Sequence, residues 1–106
     1  MVTRFDVYLV NLDPTQGSEI RKTRPAVVVS PNEMNTHLQT VIIAPMTTKG
    51  RPYPTRIPIR FQRRSGQVVA DQIRTIDKSC LVKRIGRLKD SDGTSVLALL
   101  QEMFAA

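Results

Sequence analysis

Short apolar runs rich in β-branched residues, each closed by proline, glycine or polar turn residues, constrain the fold of this chain most strongly. The clearest of them read FDVYLVNL (5–12), AVVVS (26–30), TVIIAPM (40–46) and RIPIRF (56–61). Runs of this length are typical of β-strands and are shorter than most helices. The sequence therefore predicts a mainly β fold, either a small barrel or a strongly curved sheet.

The runs also predict where their strands lie in the sheet. In the first run, apolar residues occupy both sets of alternate positions, so both faces of the strand would be apolar. This is typical of a strand that is covered on both faces. The third run is predicted to end at Pro45. In the fourth run Ile57, Ile59 and Phe61 share one face, which predicts a half-buried strand, and Pro58 places that strand near a sheet edge.

The second half of the chain contains further strands and one helix. QVVADQIRTID (67–77) is interpreted as one continuous strand, and LVKRIGRL (81–88) as another with a bulge or bend at Gly86. From about Ser91 the apolar period becomes helical, and Ser91 or Asp92 is predicted to cap the helix. The apolar stripe of this helix follows the i, i+3, i+4 rule: Val96, Leu99, Leu100, Met103 and Phe104. We expect five to seven strands and a C-terminal helix.

Length and charge limit what the protein can do. A chain of 106 residues is enough for one domain, residues 1–106, with one hydrophobic core. Its formal net charge is +7, which favours polyanions such as nucleic acid. Eleven arginines against five lysines favour planar donors suited to phosphate oxygens. No run reaches the roughly 18 apolar residues that a membrane-spanning helix needs, so we expect no membrane partner.

The single cysteine and the N-terminal segment predict a cytoplasmic location. Cys80 has no second cysteine with which to form an internal disulfide or a redox motif, and is interpreted as a small buried residue. The first ten residues, MVTRFDVYLV, carry an acid where a signal peptide would have its apolar segment.

Several classes of catalytic site are excluded by residue content. His37 is the only histidine, so a nuclease that uses one histidine as base and another as acid within a chain cannot be built. The nine carboxylates are spread along the chain without HExxH, CxxC or paired-acid spacing. Glycine-rich phosphate loops are also absent from the sequence. We therefore expect no metal and no cofactor.

What remains is a set of polar residues at strand ends, of which Arg24 and Thr47 stand out. Arg24 lies between a basic loop and the strand that begins at Pro25, and Thr47 follows the third strand. If these strands are neighbours, a guanidinium and a hydroxyl could converge on one phosphate. The alternatives are a surface ion pair of Arg24 with Glu19, and a turn in which the Thr47 hydroxyl bonds nearby backbone.

The stretch DQIRTID (71–77) is unusually polar for a strand. Buried strand positions hold Asp71 and Arg74 only at high cost unless they are paired or solvated. One interpretation is an internal ion pair that locks the sheet. The other is a row of donors and acceptors that reads base edges.

Three motifs in order and register, DPTQGSEIRKTRPAVVVSP, APMTT and DQIRTID, resemble the MazF/PemK family of toxin endoribonucleases, to which Kid belongs. The likeness covers nearly the whole chain and includes the final amphipathic helix. It implies an SH3-like β-barrel with a C-terminal helix that forms a homodimer. It also implies metal-independent cleavage of single-stranded RNA at short sequences, leaving 2′,3′-cyclic phosphate and 5′-hydroxyl ends, and inhibition by an acidic antitoxin.

The same resemblance assigns site residues by motif. It implies catalytic roles for Arg24, Thr47 and the loop residue Glu19, and, as in some members, for Asp71. Some relatives have an arginine two positions before that aspartate, where this chain has Val69. The residues expected to contact RNA are polar or basic and flank these motifs: Gln16, Arg21, Lys22, Thr48, Lys49, Arg51, Arg56, Gln72 and Arg74. Of these, Gln72 and Arg74 are the better candidates for base contacts.

Two other functions remain as alternatives. A CcdB-like gyrase-poisoning toxin has the same barrel, but its activity resides in C-terminal residues that include a tryptophan, and this chain has none. A plain RNA-binding barrel would rely on aromatic side chains for stacking, and aromatic residues make up only 5% of this chain.

Overall fold

The computed structural model describes residues 1–12 and 23–106. Seven strands and two α-helices lie in these residues. The strands are β1 (Asp6–Val10), β2 (Arg24–Val28), β3 (Thr40–Thr47), β4 (Arg56–Phe61), β5 (Arg64–Val69), β6 (Arg74–Asp77) and β7 (Leu81–Arg87). The helices are α1 (Asn32–His37) and α2 (Asp90–Met103). The structure thus has the mainly β architecture and C-terminal helix predicted from the apolar runs.

The strands form one antiparallel sheet in the order β4-β5-β3-β2-β1-β7, and β6 also pairs with β3. Strand β3 lies at its centre because one of its edges has two successive partners. Thr40–Ile43 of β3 pair with β6, whereas Met46 and Thr47 pair with β5. The two partners of β3 therefore diverge at this point.

The two faces of the central strands carry two apolar clusters. Because Val27 is paired with Ala44, both lie on one face, in a cluster that includes Val96 of α2. Ala26 and Ile43 belong to the other cluster, with residues of β1 and β6. Both faces of the central strands are thus covered, which explains why these strands have apolar residues at consecutive positions.

The hairpin of β4 and β5 closes the fold against β7. The Gln62 side chain donates to the Ile85 carbonyl oxygen at 2.6 Å. A Cβ on Gly86 would lie 2.8 Å from the Phe61 ring, so a larger residue would push the hairpin away. The pairing of β1 with β7 shifts register between Val7 and Tyr8, opposite Gly86 and Arg84. The predicted irregularity at Gly86 is confirmed, as is the edge position of β4.

The strand expected over 67–77 is interrupted. Strand β5 ends at Val69, and a 3₁₀ turn over Ala70–Gln72 separates it from β6. The physical reason is that β5 and β6 pair with different parts of β3, so the chain must leave one position along β3 and rejoin it at another. Asp71 and Arg74 are exposed, and neither occupies a buried strand position.

Three smaller expectations are also corrected. Strand β3 continues through Pro45 to Thr47, because Pro45 falls between the positions that pair with β6 and β5. Helix α2 starts at Asp90, with Lys89 at the N-cap position and no side-chain cap, so neither Ser91 nor Asp92 caps it. Within the predicted stripe, Val96 is buried but Phe104 is 72% exposed.

Neither helix within residues 1–12 and 23–106 has the length and apolar character needed to cross a bilayer.

Helix α1 is tied to the sheet by a buried polar cluster. The Ser30 hydroxyl donates to Asn35 Oδ1 at 2.5 Å and accepts from the Ile42 backbone N–H at 3.0 Å. Asn35 Nδ2 donates in return to the Ser30 carbonyl oxygen at 3.0 Å. Ser30 and Asn35 are 2% and 1% exposed, so water cannot replace a lost partner.

Replacing Ser30 with alanine tests this cluster. The substitution leaves buried groups of Asn35 and Ile42 without their partner, so we expect the free energy of unfolding to fall by about 1–3 kcal/mol. Urea denaturation of Ser30→Ala measures the change, with the exposed Ser95→Ala as control. Equal stability of the two variants would contradict this role of Ser30.

Candidate active site

Arg24 is the first residue of β2 and Thr47 is the last residue of β3. The observed register pairs Ala26 with Pro45 and Val28 with Ile43. Continuing this register by two residues sets Arg24 opposite Thr47. Directly paired residues project from the same face of a sheet, with Cβ atoms about 4.5–5.5 Å apart. The continued register is compatible with the predicted convergence of the two side chains, which stays a prediction.

The Arg24 guanidinium is anchored locally. Arg24 is the first residue of β2, is paired with the buried Val10 of β1, and is itself exposed. Its Nη1 donates to the Thr23 carbonyl oxygen at 3.1 Å. One bond of this kind leaves most of the five guanidinium N–H donors for an anion. The alternative ion pair with Glu19 lies outside the described residues.

The Thr47 hydroxyl takes part in a tight turn. It donates to the Lys49 carbonyl oxygen at 2.8 Å and accepts from the Lys49 N–H at 3.0 Å. The turn expected as the alternative for Thr47 is therefore present. Because a hydroxyl has one hydrogen, Thr47 must release the Lys49 carbonyl before it can donate to a phosphate oxygen.

Asp71 is bound to the far end of the same loop. Its Oδ1 accepts from the Thr55 hydroxyl at 3.0 Å and lies 3.5 Å from Nε of Arg56. Partial burial acts to raise the pKa of Asp71, but the Thr55 hydrogen bond, a backbone hydrogen bond and the Arg56 charge outweigh it and lower that pKa. The expected partner, Arg74, does not form this ion pair; Arg56 does.

Gln67 of β5 connects Thr47 to the loop. Its backbone is paired with Thr47, and its side-chain Nε2 donates to the Arg51 carbonyl oxygen at 3.1 Å. At the neighbouring Gly66, a Cβ would lie 2.6 Å from the Thr47 carbonyl oxygen. Only glycine permits this close approach. Gly66 and Gln67 therefore both contact Thr47, at the end of β3.

The remaining predicted RNA contacts are distributed around this pair. Thr48, Lys49 and Arg51 are exposed in the segment between β3 and β4. The Arg56 guanidinium lies 5.9 Å from the Tyr53 ring centroid as well as beside Asp71. Arg74 is paired with Ile43, which lies on the same face as Thr47 four residues earlier in β3.

Some predicted residues are placed apart or lie outside the description. Gln72 is exposed in the 3₁₀ turn and not in a strand, because the chain leaves the sheet there. Four predicted residues fall within 13–22, outside the described residues: Gln16, Glu19, Arg21 and Lys22.

The sequence did not point to Thr55 or Gln67 as parts of this region. Each is a common surface residue type, and its contact is with a residue distant in the chain. A threonine shortly before a basic strand was the only local indication for Thr55.

A search for metal ligands covered the same residues. Within 1–12 and 23–106, no three His, Cys, Asp or Glu side chains are grouped as a metal site requires.

The fold and the sequence match a known toxin family. A family model described as PemK-like, MazF-like toxin of type II toxin-antitoxin system matches residues 3–104. The chain belongs to this family, as its three motifs predicted.

Individual relatives agree with this assignment. Endoribonuclease toxin MazF of Escherichia coli K12 is 38% identical over 81 residues, which cover 72% of this chain and 73% of that protein. A mycobacterial endoribonuclease solved in complex with its cognate antitoxin is 26% identical, with a TM-score of 0.80 over 96% of this chain and 93% of that one. A MazE-MazF structure from Deinococcus radiodurans has the same TM-score at 22% identity, covering 98% and 95%, and supports the fold alone.

The Thr55–Asp71 contact generates a pH-dependent prediction. Because the folded pKa of Asp71 is lowered, its ionised form stabilises the fold above the unfolded pKa, and this contribution is lost as the pH falls through the folded value. Thr55→Val removes the hydroxyl donor. We expect a loss of about 0.5 kcal/mol at pH 7, the scale for a partly exposed pair, and a smaller loss toward about pH 3.

Urea denaturation of Thr55→Val and its parent at several pH values measures this difference. Thr94→Val, an exposed site on α2, is the control for the threonine-to-valine change. A difference that stays constant from neutral to acid pH would show that Thr55 does not act on the Asp71 carboxylate.

Proposed function

We propose that this protein is a toxin endoribonuclease that cuts single-stranded RNA at short sequences without a metal ion. The 2′-hydroxyl attacks the adjacent phosphodiester and leaves a 2′,3′-cyclic phosphate and a 5′-hydroxyl. The observation that supports the proposal is the register of β2 and β3, whose continuation by two residues beyond Ala26 and Pro45 would set Arg24 opposite Thr47. The named endoribonuclease relatives support the same reaction class.

This reaction needs three groups around one phosphate. A base takes the 2′-OH proton, donors stabilise the charged phosphorane, and an acid protonates the leaving 5′-oxygen. Arginine is a poor base, since its unperturbed pKa is about 12.5 to 13.8. Arg24 is therefore assigned to charge stabilisation, with proton donation as an additional role, and Thr47 contributes a neutral hydrogen bond.

The base is assigned to Glu19, with Asp71 in reserve. A general base is most effective when its pKa lies near the working pH, and the contacts of Asp71 with Thr55 and Arg56 lower its pKa instead. Asp71 is better suited to hold the loop that ends at Arg56. Glu19 lies in the basic segment five residues before Arg24 in sequence.

Binding of the RNA backbone is assigned to the exposed cations near Thr47. Lys49 and Arg51 follow it two and four residues later in the chain, and Arg74 shares its face of the sheet. The same role is assigned to Arg21 and Lys22, which come shortly before Arg24 in the sequence. Arg56 contributes less to the positive potential that attracts RNA, because the Asp71 carboxylate, with its Oδ1 3.5 Å from Arg56 Nε, partly neutralises its charge.

The proposed partners follow from charge and from the relatives. One related structure contains a cognate antitoxin. A net charge of +7 favours a flexible acidic segment that occupies the RNA surface. We assign the protein a homodimeric state, an acidic antitoxin and a cytoplasmic location, where its RNA substrates are made.

Arg24→Ala tests the proposed chemistry. Loss of a donor to the phosphorane should slow single-turnover cleavage by about 10²-fold or more, while RNA affinity falls much less. The assay uses a long RNA with EDTA present, and end analysis identifies the cyclic phosphate. Arg60→Ala, an exposed arginine on the edge strand β4, is the matched control.

Two outcomes would reject this assignment. Cleavage by Arg24→Ala at the parent rate would remove Arg24 from the chemistry. Dependence of the parent on added metal would reject the metal-independent mechanism while leaving the family assignment intact.

The phosphate-binding role of Lys49 and Arg51 has a separate test. The test uses the cleavage-deficient Arg24→Ala variant, in which Lys49 and Arg51 are both replaced with glutamine. We expect weaker RNA binding and a less steep fall of the logarithm of the association constant with the logarithm of the salt concentration. Each lost single-strand contact accounts for about 0.7 of slope, so the pair accounts for about 1.4. Fluorescence anisotropy at several salt concentrations measures the slope, with Arg60→Gln/Arg63→Gln as control. An unchanged slope would show that these side chains do not contact phosphates.

A further inference from the structure

Gln67 holds two parts of the candidate site at once. Its backbone in β5 is paired with Thr47 on one side and with Pro58 of β4 on the other. Its side chain reaches the segment 48–55 and donates from Nε2 to the Arg51 carbonyl oxygen at 3.1 Å. One residue thus connects the end of β3 to the loop that carries Lys49 and Arg51.

The loop is shaped to receive this side chain. Gly50 has φ +142°, a conformation that L side chains rarely adopt, and a Cβ there would lie 2.8 Å from Gln67 Oε1. Gly50 therefore leaves the space that the amide group occupies. A larger residue at position 50 would displace the amide and with it the bond to Arg51.

The nitrogen and the oxygen of this amide differ in their contacts. Gln67 Oε1 is buried and has no hydrogen-bond partner among residues 1–12 and 23–106. An apolar side chain of similar length would avoid burying an unpaired oxygen. Methionine would fill the same space but would leave the Arg51 carbonyl oxygen without its donor, so glutamine at this position serves to hold Arg51.

We propose that Gln67 is a positioning residue that fixes the 48–55 segment so that its cations lie beside Thr47. The proposal rests on the proposed function, because the benefit it assigns to Gln67 is correct placement of RNA-binding groups. Gln67 touches no reacting atom in this account. It acts through the backbone of Arg51 and through the strand end of Thr47.

Gln67→Met separates this role from a structural one. The variant keeps the length of the side chain but cannot donate to Arg51, and it removes the unpaired oxygen. We expect KM for a single-stranded RNA to rise about 2- to 10-fold, the range for one lost hydrogen bond. The rate at saturating RNA and the Tm should stay close to those of the parent.

A second measurement, limited proteolysis, tests without RNA whether Gln67 holds the 48–55 segment in place. Trypsin cleaves after lysine, and Lys49 is followed by Gly50. If Gln67 holds the segment, the native-state rate of cleavage at Lys49 should rise about 2- to 10-fold in Gln67→Met, as followed by mass spectrometry. Gln62→Met is the matched control, because Gln62 also donates from its side chain to a backbone oxygen, that of Ile85, but in the β4–β5 turn.

The outcomes distinguish this proposal from the proposed function. A parent KM and parent proteolysis at Lys49 in Gln67→Met would overturn the positioning role, even in an active ribonuclease. Equal effects of Gln62→Met on KM and on proteolysis at Lys49 would also overturn it. Loss of a side-chain bond elsewhere in the sheet would then produce the same changes, and Gln67 would have no special role. If Gln67→Met does not fold, Gln67→Glu, which also lacks the donor, must show the faster proteolysis. A parent that fails to cut RNA rejects the proposed function, and proteolysis still tests the loop.

Discussion

The pairing of β2 with β3 is the constraint on which the rest of the site depends. Its register places Ala26 opposite Pro45 and Val27 opposite Ala44, and the alternate residues fill two apolar clusters. A slip of one residue would turn each buried valine of β2 toward the opposite cluster. The fit of particular residues into each cluster holds this register, and its continuation would set Arg24 opposite Thr47. Packing in the core in this way determines the geometry of a polar site at the strand ends.

The loop after Thr47 is organised by contacts that reach across the sheet. Thr47 itself bonds Lys49, Gln67 bonds Arg51, and Asp71 accepts from Thr55 at the far end. These contacts hold a short, positively charged segment beside the strand end without any secondary structure of its own. Fixed cations near a reacting phosphate stabilise developing charge with little reorganisation, which suits a site built without paired acids or a second histidine.

The sequence predicts the general architecture and the central pair, and particular residues show why. Alternation in RIPIRF identifies β4 as a half-buried edge strand, and β-branched runs identify β2 and β3. The run 67–77 was misread as one strand, because propensity does not reveal that β5 and β6 pair with different parts of β3. Gln67 and Thr55 were missed for a similar reason, since their partners are distant in the chain. The resemblance to the toxin family supplied the roles of Arg24 and Thr47, which spacing alone left open.

The most direct test of the central claim is a crystal structure of the protein with a single-stranded RNA that carries a 2′-methoxy group at the cleavage position. That substitution removes the attacking hydroxyl and preserves the phosphodiester. The account predicts that the Arg24 guanidinium and the Thr47 hydroxyl both lie within hydrogen-bond distance of the same phosphate, with Thr47 released from the Lys49 carbonyl oxygen. A complex in which the blocked phosphate lies away from both side chains, in either subunit of a dimer, would contradict it.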